Sequence, residues 1–362
     1  MRIAVIDVAA ESGGALSVLN DFLYYLVSLE HDNNEYYVFV SQKLNIEKEN
    51  IHYIIKPEIK RSWFSRLKWE RIDAQGEFDE LNIDLVFSLQ NTGFYSKKIK
   101  QIVYFHNVLL LESKKKYSIW NKEQRKYAIY TKAIAPYTIA SLKYADTIIC
   151  QTKTICADIK NRLPDTNVVA VYPNVHVDEE YRNTANELIK GFIYPTSPVP
   201  FKRVESIIEC VKEHNNWFED NNLEMLITIK GDENAYASKL LELSRGCEAI
   251  KLIGYQTRER IMQLYQDHVL IVNSELESFP LLFLEKSIIG GAVISADYAY
   301  AIEITGKLPN VEVYKKENME DMFEKMKWAI SYGSNYDMDS SWETNSWEKV
   351  IEIINNSCRG NL

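Results

Sequence analysis

The stretch Val269-Leu-Ile-Val-Asn-Ser-Glu-Leu-Glu-Ser-Phe-Pro-Leu-Leu-Phe-Leu-Glu-Lys-Ser-Ile-Ile-Gly-Gly-Ala-Val-Ile-Ser295 decides the fold class. Val269–Asn273 and Ala292–Ser295 are short apolar runs of the kind found in strands that are buried on both faces. Pro280 suits the first turn of a helix, and the apolar residues that follow it supply that helix. A strand, a helix and a second strand in this order predict a parallel βαβ unit.

The same alternation continues along the rest of the chain in two blocks. The further predicted strands are Arg2–Asp7, Tyr36–Ser41, Asp84–Leu89, Gln101–His106, Thr147–Gln151, Val168–Tyr172, Phe192–Tyr194, Met225–Ile229 and Ile250–Ile253. Apolar residues recur at helical spacing between Ser17 and Leu29, so the first strand leads into a helix. This alternation predicts two doubly wound α/β domains. We expect them at residues 1–178 and 190–340, with the polar stretch Asp178–Lys190 as a linker.

The composition excludes several classes of protein. Of the 362 residues, 46% are apolar and 26% are charged, which does not suit a disordered, collagen-like or coiled-coil chain. The net charge of −9 argues against a dedicated nucleic-acid binder. No apolar run approaches the roughly 18 residues of a spanning helix, and the charged first strand is not a signal peptide. The 5 cysteines are scattered without disulfide or metal spacing, so we expect reduced thiols in a cytoplasmic protein.

The charges are unevenly distributed. Residues 1–180 contain as many basic as acidic residues, so the whole excess of acidic residues falls in the remainder of the chain. Two stretches of the neutral part combine basic with aromatic residues, which are Trp and Phe in Lys56–Arg71 and Trp and Tyr in Glu112–Lys143. Such stretches suit either an anionic surface or two ordinary solvated helices with buried tryptophans.

Residues that can bind a ligand follow the predicted strands, at the edge where open α/β sheets bind their ligands. Gly13 and Gly14 lie after the first strand and before a helix, which suits either an anion-binding loop or a plain turn. Glu277 precedes the helix that starts near Pro280, and Glu285 lies inside that helix in an apolar setting. Carboxylates accept several hydrogen bonds from sugar hydroxyls. Neither half has a complete G-x-G-x-x-G, so a dehydrogenase is disfavoured.

Glu277 and Glu285 are separated by seven residues, and this segment resembles the E-x7-E signature of the family-4 retaining glycosyltransferases. Other segments match that family in the same order along the chain. They are Gly13-Gly14, His106, Tyr172-Pro-Asn174, Pro200-Phe-Lys202-Arg-Val, Gly231-Asp232, Ile253-Gly-Tyr255, Gly290–Ser295 and Ser346-Trp-Glu348. The resemblance implies the GT-B fold, which has two Rossmann-like domains, an interdomain cleft and a C-terminal helix, here 341–362, that returns to the first domain.

The resemblance also implies roles for individual residues. The family moves a sugar from a nucleotide-sugar donor without a metal or another cofactor, so the protein itself stabilises the leaving diphosphate. Lys202 matches the family's phosphate lysine. The arginine that usually lies a few positions upstream is absent, and Arg203 is the candidate substitute. Glu277 would contact the transferred sugar, and Glu285 would hold the ribose.

Further residues are assigned to the donor site by the same resemblance. Ile253, Gly254 and Tyr255 would contact the base. Ser278, Phe279 and the amides of Leu281 and Leu282 would border the phosphates, opposite Gly13 and Gly14. His106 would face the reacting sugar, with no role as a base. A lone histidine after a strand is otherwise more often an ordinary loop or core residue.

Three functions are consistent with these residues. The favoured one is a glycosyltransferase acting on a glycan acceptor in surface polysaccharide synthesis. We expect that acceptor to be lipid-linked, with the basic aromatic segments Lys60–Arg71 and Lys114–Lys132 at an anionic membrane surface. The alternatives are a non-catalytic GT-B partner protein, suggested by the missing arginine, and a nucleotide-sugar epimerase. The base, sugar, acceptor and linkage do not follow from the sequence.

Overall fold

A computed structural model describes residues 1–11, 13–112, 117–120, 122, 124–333 and 346–358. The chain divides into two compact units, one formed by Met1–Pro173 with Asn345–Leu362 and the other by Asn174–Thr344. The stretch Asp178–Lys190, expected as a linker, is hydrogen-bonded to the second unit. The amides of Asn183 and Ala185 donate to the carbonyls of Ile288 and Ile289, each at 3.0 Å.

The first unit contains a parallel sheet of seven strands. In chain order these are β1 Arg2–Ile6, β2 Glu35–Val40, β3 Ile51–Ile55, β4 Leu85–Ser88, β5 Lys100–Phe105, β6 Thr147–Cys150 and β7 Asn167–Ala170. The strand order in space is β3-β2-β1-β4-β5-β6-β7, so the chain reverses its direction of travel across the sheet between β1 and β4. Ile6 is opposite Ser88 at that point. β3 was not predicted, because this edge strand is only partly buried and lacks a continuous apolar run.

Helices cover the sheet of the first unit. They are α1 Gly13–Ser28, α2 Pro57–Lys60, α3 Trp63–Lys68, α4 Ala74–Glu80, α5 Arg125–Ile129, α6 Ala135–Leu142 and α7 Lys153–Arg162, with π-helical segments at Trp69–Asp73 and Tyr130–Ile134 and a 3-10 turn at Val108–Leu110. α1 starts four residues earlier than its apolar pattern indicates. Gly13 and Gly14 are therefore its first residues and not part of a preceding loop.

The second unit repeats the plan with six parallel strands. These are β8 Gly191–Tyr194, β9 Glu224–Ile227, β10 Ile250–Leu252, β11 His268–Val272, β12 Val293–Ala296 and β13 Val311–Tyr314. Their order is β10-β9-β8-β11-β12-β13, with the reversal between β8 and β11. β13 was not predicted, because it has only 4 residues and Glu312 interrupts its apolar pattern. The fold class predicted from the sequence, two Rossmann-like α/β domains, is confirmed.

The helices of the second unit follow its strands, and a last helix belongs to the first unit. They are α8 Val204–Glu213, α9 Asn215–Asp220, α10 Ala235–Ser244, α11 Arg258–Tyr265, α12 Leu281–Ile289, α13 Ala299–Thr305, α14 Met319–Tyr332 and α15 Ser346–Cys358, with 3-10 turns at Glu179–Tyr181 and Pro200–Lys202. Trp347 of α15 packs on Phe22 and Tyr104, with ring centroids 5.1 and 5.4 Å apart. Val350 and Ile354 are fully buried in the same core.

Candidate functional site

The reversal of strand order in the second unit brings two loops together at the carboxyl edge of its sheet. One loop follows β8 and contains Lys202, and the other follows β11 and contains Glu277. Open parallel sheets bind ligands where the strand order reverses. The loops on either side of the reversal lead to opposite faces of the sheet, and this leaves a crevice above the strands. The two residues to which the family resemblance gives the central roles therefore share one edge.

Lys202 and Glu277 are in direct contact. The Lys202 ammonium forms an ion pair with Oε1 of Glu277, and the two side chains are 18% and 24% exposed. Lys202 ends the 3-10 turn Pro200–Lys202, and its carbonyl accepts a hydrogen bond of 3.0 Å from the buried Tyr194 hydroxyl. The turn is thus fixed, while the ammonium remains accessible and can exchange its partner for an anion.

Arg203, the candidate second phosphate cation, is directed to carboxylates of the chain. Its Nη1 donates to Oε1 of Glu275 at 3.2 Å, and its Nε lies 3.5 Å from Oε1 of Glu205. Its backbone is in the left-handed region, with φ of 49°. The Arg203 carbonyl accepts a hydrogen bond of 3.0 Å from the Asn273 side chain. Sequence reasoning missed Glu275 and Glu205, which no motif marks.

Glu285 lies in the second turn of α12 with its side chain 11% exposed. Its Oε1 is 2.9 Å from Nη2 of Arg258, at the start of α11. Burial raises the pKa of Glu285, and the Arg258 charge acts in the opposite direction. Arg258 itself is more than half exposed, so water weakens this pair. Arg258 was not identified from the sequence.

The start of α12 lies beside Glu277. Pro280 precedes the first helical residue, and no side chain caps this end. The amide of Leu281 donates to the Phe279 carbonyl at 3.0 Å, so this predicted phosphate donor already has a partner in the chain. Leu282 follows it in the first helical turn, Phe279 is buried and Ser278 is half-buried. The partial positive charge of the helix end favours an anion at this place.

The predicted base-binding segment follows β10. The amides of Ile253 and Gly254 donate to the carbonyls of Ile227 and Ile229 at 2.9 and 3.2 Å. Gly254 has a φ of 68°, which a glycine adopts without strain. Tyr255 is 88% exposed. The segment therefore offers an exposed ring and backbone carbonyls, and Gln256 already donates to the Ile253 carbonyl at 2.8 Å.

His106 follows β5 at the carboxyl edge of the first unit. Its Nε2 is 2.8 Å from the Leu89 carbonyl and 3.2 Å from Nδ2 of Asn91. Because the shorter contact is to a carbonyl, which can only accept, we assign the proton to Nε2 and the lone pair to Nδ1. The His106 amide donates to Oδ1 of Asn91 at 2.7 Å. Burial lowers the pKa of the imidazole, which is therefore neutral at pH 7. The ring is oriented as a hydrogen-bond acceptor.

A buried polar cluster that the motifs did not identify lies at the same edge. Asp7 follows β1 with 1% exposure, and its Oδ2 has no hydrogen-bond partner among the residues that the structure describes. Burial raises the pKa of Asp7 to about 7, while the nearby Arg66 lowers it. Arg66 is bound to the buried Glu70 at 2.8 Å, and Gln90 donates to the same Glu70 oxygen at 2.8 Å. In the sequence, the feature that could have indicated this cluster is the charged Asp7 at the end of an apolar strand.

Gly13 and Gly14 open α1 at this edge. A Cβ atom built on Gly14 would meet nothing within 4 Å, so no neighbouring group of the chain requires a glycine there. Among the described residues, no group of three or more His, Cys, Asp or Glu side chains could hold a metal ion. No helix within the described ranges is long and apolar enough to cross a membrane.

Comparison with known proteins agrees with this architecture. Residues 186–346 match the family model described as Glycosyl transferases group 1. A glycosyltransferase structure from Rickettsia africae aligns over 99% of this chain and 96% of its own, with 16% identity and a TM-score of 0.62. The lipopolysaccharide outer core galactosyltransferase WaaB aligns over 100% of both chains, with 18% identity and a TM-score of 0.63.

A third structure, trehalose-6-phosphate from E. coli bound with UDP-2-fluoro glucose, covers 99% of this chain and 96% of that one, with 10% identity and a TM-score of 0.62. No curated protein sequence matches significantly. At these identities the structural matches establish the fold. The chain has the GT-B fold, and the match of residues 186–346 to group 1 glycosyl transferases supports a GT-B glycosyltransferase.

Proposed function

We propose that this protein is a retaining, metal-independent glycosyltransferase that moves a sugar from a nucleotide-sugar donor to a glycan acceptor. The contact between Lys202 and Glu277 at the reversal of strand order carries the proposal. It joins a partly exposed ammonium and a carboxylate, and the carboxylate is four residues before the N-terminus of α12, whose partial positive charge favours an anion. The ammonium and the helix N-terminus can stabilise the leaving diphosphate. The carboxylate can stabilise the sugar carbon, which becomes electron-poor.

In the proposed reaction the bond between the anomeric carbon and the donor phosphate breaks, and both its electrons go to the phosphate oxygen. Lys202 exchanges Glu277 for the diphosphate and stabilises the charge that develops on it. Glu277 then faces the positive charge that develops on the sugar. The acceptor hydroxyl forms the new bond on the same face, and its proton passes to the leaving phosphate oxygen. No further base is required, which suits a neutral His106.

Further donor contacts are proposed for residues of both units. Glu285 would accept the ribose hydroxyls, replacing part of its pairing with Arg258. Ile253, Gly254 and Tyr255 would contact the base, and the exposed Tyr255 ring offers it a stacking surface. His106 would accept a hydrogen bond from the transferred sugar at Nδ1. Gly13, Gly14, Ser278, Phe279, Leu281 and Leu282 complete the proposed donor site.

A panel of nucleotide sugars tests this proposal. The protein is first screened by thermal shift with UDP, GDP, ADP and TDP, because a nucleotide that binds only the folded state raises the melting temperature. The matching sugar nucleotides are then incubated with glycan acceptors, and the anomeric configuration of the product is read by NMR. Transfer with retention supports the proposal, and EDTA should not reduce it. An isomerised donor would indicate an epimerase, and the absence of any turnover a non-catalytic partner protein.

We also propose that the protein acts in the cytoplasm on a lipid-linked acceptor, as a peripheral protein of an anionic membrane, in surface polysaccharide synthesis. Three aromatic side chains of the first unit support this, since Trp63, Phe64 and Trp120 are 42%, 77% and 87% exposed. Trp and Tyr rings favour the membrane interface. Several of the cations are paired, among them Lys60 with Glu11 and Lys68 with Asp73, which leaves the aromatic residues as the stronger support. Lys114, Lys115 and Lys116 lie outside the described residues.

A further inference from the structure

The second unit contains a charged pair next to the proposed reacting groups that no motif accounts for. We propose that Arg203 is a positioning residue rather than a phosphate ligand. Its ion pair with Glu275 holds the loop that carries Glu277 in place when a donor diphosphate takes Lys202 away from Glu277. The inference rests on the donor site proposed above and names a residue that acts through its neighbours.

Two short segments face each other around this pair. The first is the turn 200–203 and the second is the loop 273–277. Apart from the Lys202–Glu277 ion pair, three contacts connect them. The Glu275 amide donates to the Phe201 carbonyl at 2.8 Å, the Asn273 side chain donates to the Arg203 carbonyl at 3.0 Å, and the Arg203 guanidinium donates to Glu275 at 3.2 Å.

The Lys202–Glu277 ion pair cannot persist during the proposed reaction, because the diphosphate and the carboxylate compete for the same ammonium. When Lys202 turns to the phosphates, the charged contact nearest to Glu277 is lost. Of the three contacts above, only the Arg203–Glu275 pair joins two charged side chains, and Glu275 is just two residues before Glu277. Its partly buried setting, with Glu275 13% and Arg203 31% exposed, limits its screening by water.

The surroundings of Arg203 do not suit a phosphate ligand. Two carboxylates, Glu275 and Glu205, lie within 3.5 Å of its guanidinium nitrogens. Together they carry more negative charge than Arg203 carries positive charge. The Tyr236 hydroxyl donates to Glu205 and so holds that carboxylate in place. A diphosphate that approached Arg203 would therefore meet a local excess of negative charge.

The backbone at Arg203 supports a specific purpose for its side chain. A φ of 49° is a conformation that residues with a Cβ atom rarely adopt and that glycine adopts freely. A strained position of this kind persists only where its surroundings compensate for the strain. At this position the Arg203 side chain forms two carboxylate contacts. This also offers a clean variant, since Arg203→Gly removes the side chain and suits the backbone.

The test combines steady-state kinetics with nucleotide binding. In Arg203→Gly and Glu275→Gln we expect kcat to fall about tenfold, while the dissociation constant of the nucleoside diphosphate chosen by thermal shift stays within about twofold of the wild-type value. The double variant should be no slower than either single variant, because both remove the same contact. Arg203→Lys should restore part of the rate. Asn222→Gly, which relaxes another left-handed residue at φ 52°, is the matched control and should be as active as the wild type.

Two results would overturn the proposal. One is an Arg203→Gly variant that binds the diphosphate at least tenfold more weakly while its affinity for the nucleoside is unchanged, since this would make Arg203 a phosphate ligand. The other is a kcat within twofold of the wild type in both single variants.

Hydrogen exchange provides a readout that does not need activity. Peptides covering residues 274–280 should exchange faster in Arg203→Gly and Glu275→Gln than in the wild type and Asn222→Gly, and inorganic pyrophosphate should widen the difference by drawing Lys202 away. Unchanged exchange in both variants would refute the positioning role, whatever the activity. If the two variants exchange faster as expected but the wild type transfers no sugar, only the proposed function is refuted.

Discussion

The carboxyl edges of the two sheets have the same topology and opposite electrostatics. In the second unit, Lys202 and Arg203 follow β8, Glu275 and Glu277 lie in the loop after β11, and these four side chains are between 13% and 31% exposed and form two ion pairs. In the first unit, Asp7 is almost fully buried and His106 is half-buried. Burial raises the pKa of Asp7 to about 7 and lowers that of His106.

The difference shows how one sheet topology can serve two kinds of binding. Partly exposed ion pairs exchange partners at small cost, so the edge of the second unit is suited to a charged ligand such as a diphosphate. A buried edge keeps its groups neutral or bound in a network, so the first unit is suited to hydrogen bonds with uncharged hydroxyls. The predictions that follow test this contrast.

The largest effect is expected at Glu277. Glu277→Ala should lower the transfer rate at least a hundredfold, about 2.7 kcal/mol in activation free energy, because no other carboxylate would face the charge on the sugar. The melting temperature should stay near the wild-type value, since the side chain is partly exposed. Glu242→Ala, which breaks an exposed pair with Arg245, is the control and should be fully active. A Glu277→Ala rate above about a tenth of the wild type would remove Glu277 from the reaction.

Lys202 should show a smaller and more selective effect. Lys202→Ala should weaken binding of the nucleoside diphosphate roughly tenfold to a hundredfold, the range for a lost charge-assisted hydrogen bond, and leave nucleoside binding almost unchanged. Isothermal titration calorimetry with both ligands measures the difference. Equal losses for the two ligands would contradict a phosphate contact and would weaken the contrast between the two edges.

Asp7 tests the buried edge through pH. Because its pKa is raised to about 7, the folded protein holds a proton that the unfolded chain has lost between about pH 4 and 7. Its contribution to stability is therefore complete below pH 4 and is lost as the pH rises through 7. At pH 8.5 the free energy of unfolding measured in urea should be larger for Asp7→Asn than for the wild type, by more than about 1.4 kcal/mol, the equivalent of one pKa unit. The difference should narrow at pH 5.

Glu224, which begins β9 at the amino edge of the second sheet, has a pKa shift of the opposite sign to that of Asp7. Hydrogen bonds and charges from Lys251 and His268 outweigh desolvation and lower the pKa of Glu224. Its stabilising contribution is thus present at neutral pH and lost on acidification, the opposite sign to Asp7. Glu224→Gln should be less stable than the wild type at pH 8.5. Stability changes of the same sign in both variants would contradict the opposite pKa shifts of these two carboxylates.

The smallest effect is expected at the exposed aromatic residues of the first unit. The wild type should float with vesicles that contain anionic lipid, and less so at high salt. The double variant Trp63→Ser, Phe64→Ser should float more weakly, by a few-fold, because it removes two rings from the proposed interface. Leu188→Ser, at an exposed apolar residue of the second unit, is the control. A wild-type protein that stays in solution with anionic vesicles at low salt would favour a soluble acceptor.

The positions of Glu277 and Glu285 after β11 could be predicted from the strand and helix signals in their own segment, and Lys202 was identified by its match to the family's lysine. Their partners could not. Arg258 is 27 residues before Glu285. Glu275 is 72 residues after Arg203, and the two residues meet because β8 and β11 are neighbours in the sheet. No local pattern marks such a pair.

The sequence by itself determined the two α/β units, since hydrophobic periodicity and turn residues act over a few residues and survive without knowledge of the whole fold. Only the tertiary structure decided how strongly the same residue types are desolvated and which charges meet. Asp7 and Glu277 are both acidic residues that follow a parallel strand, and nothing local to either shows that one is buried near Arg66 and the other is bound to Lys202. Desolvation and Coulomb energy depend on every neighbour in space, so they are properties of the assembled fold.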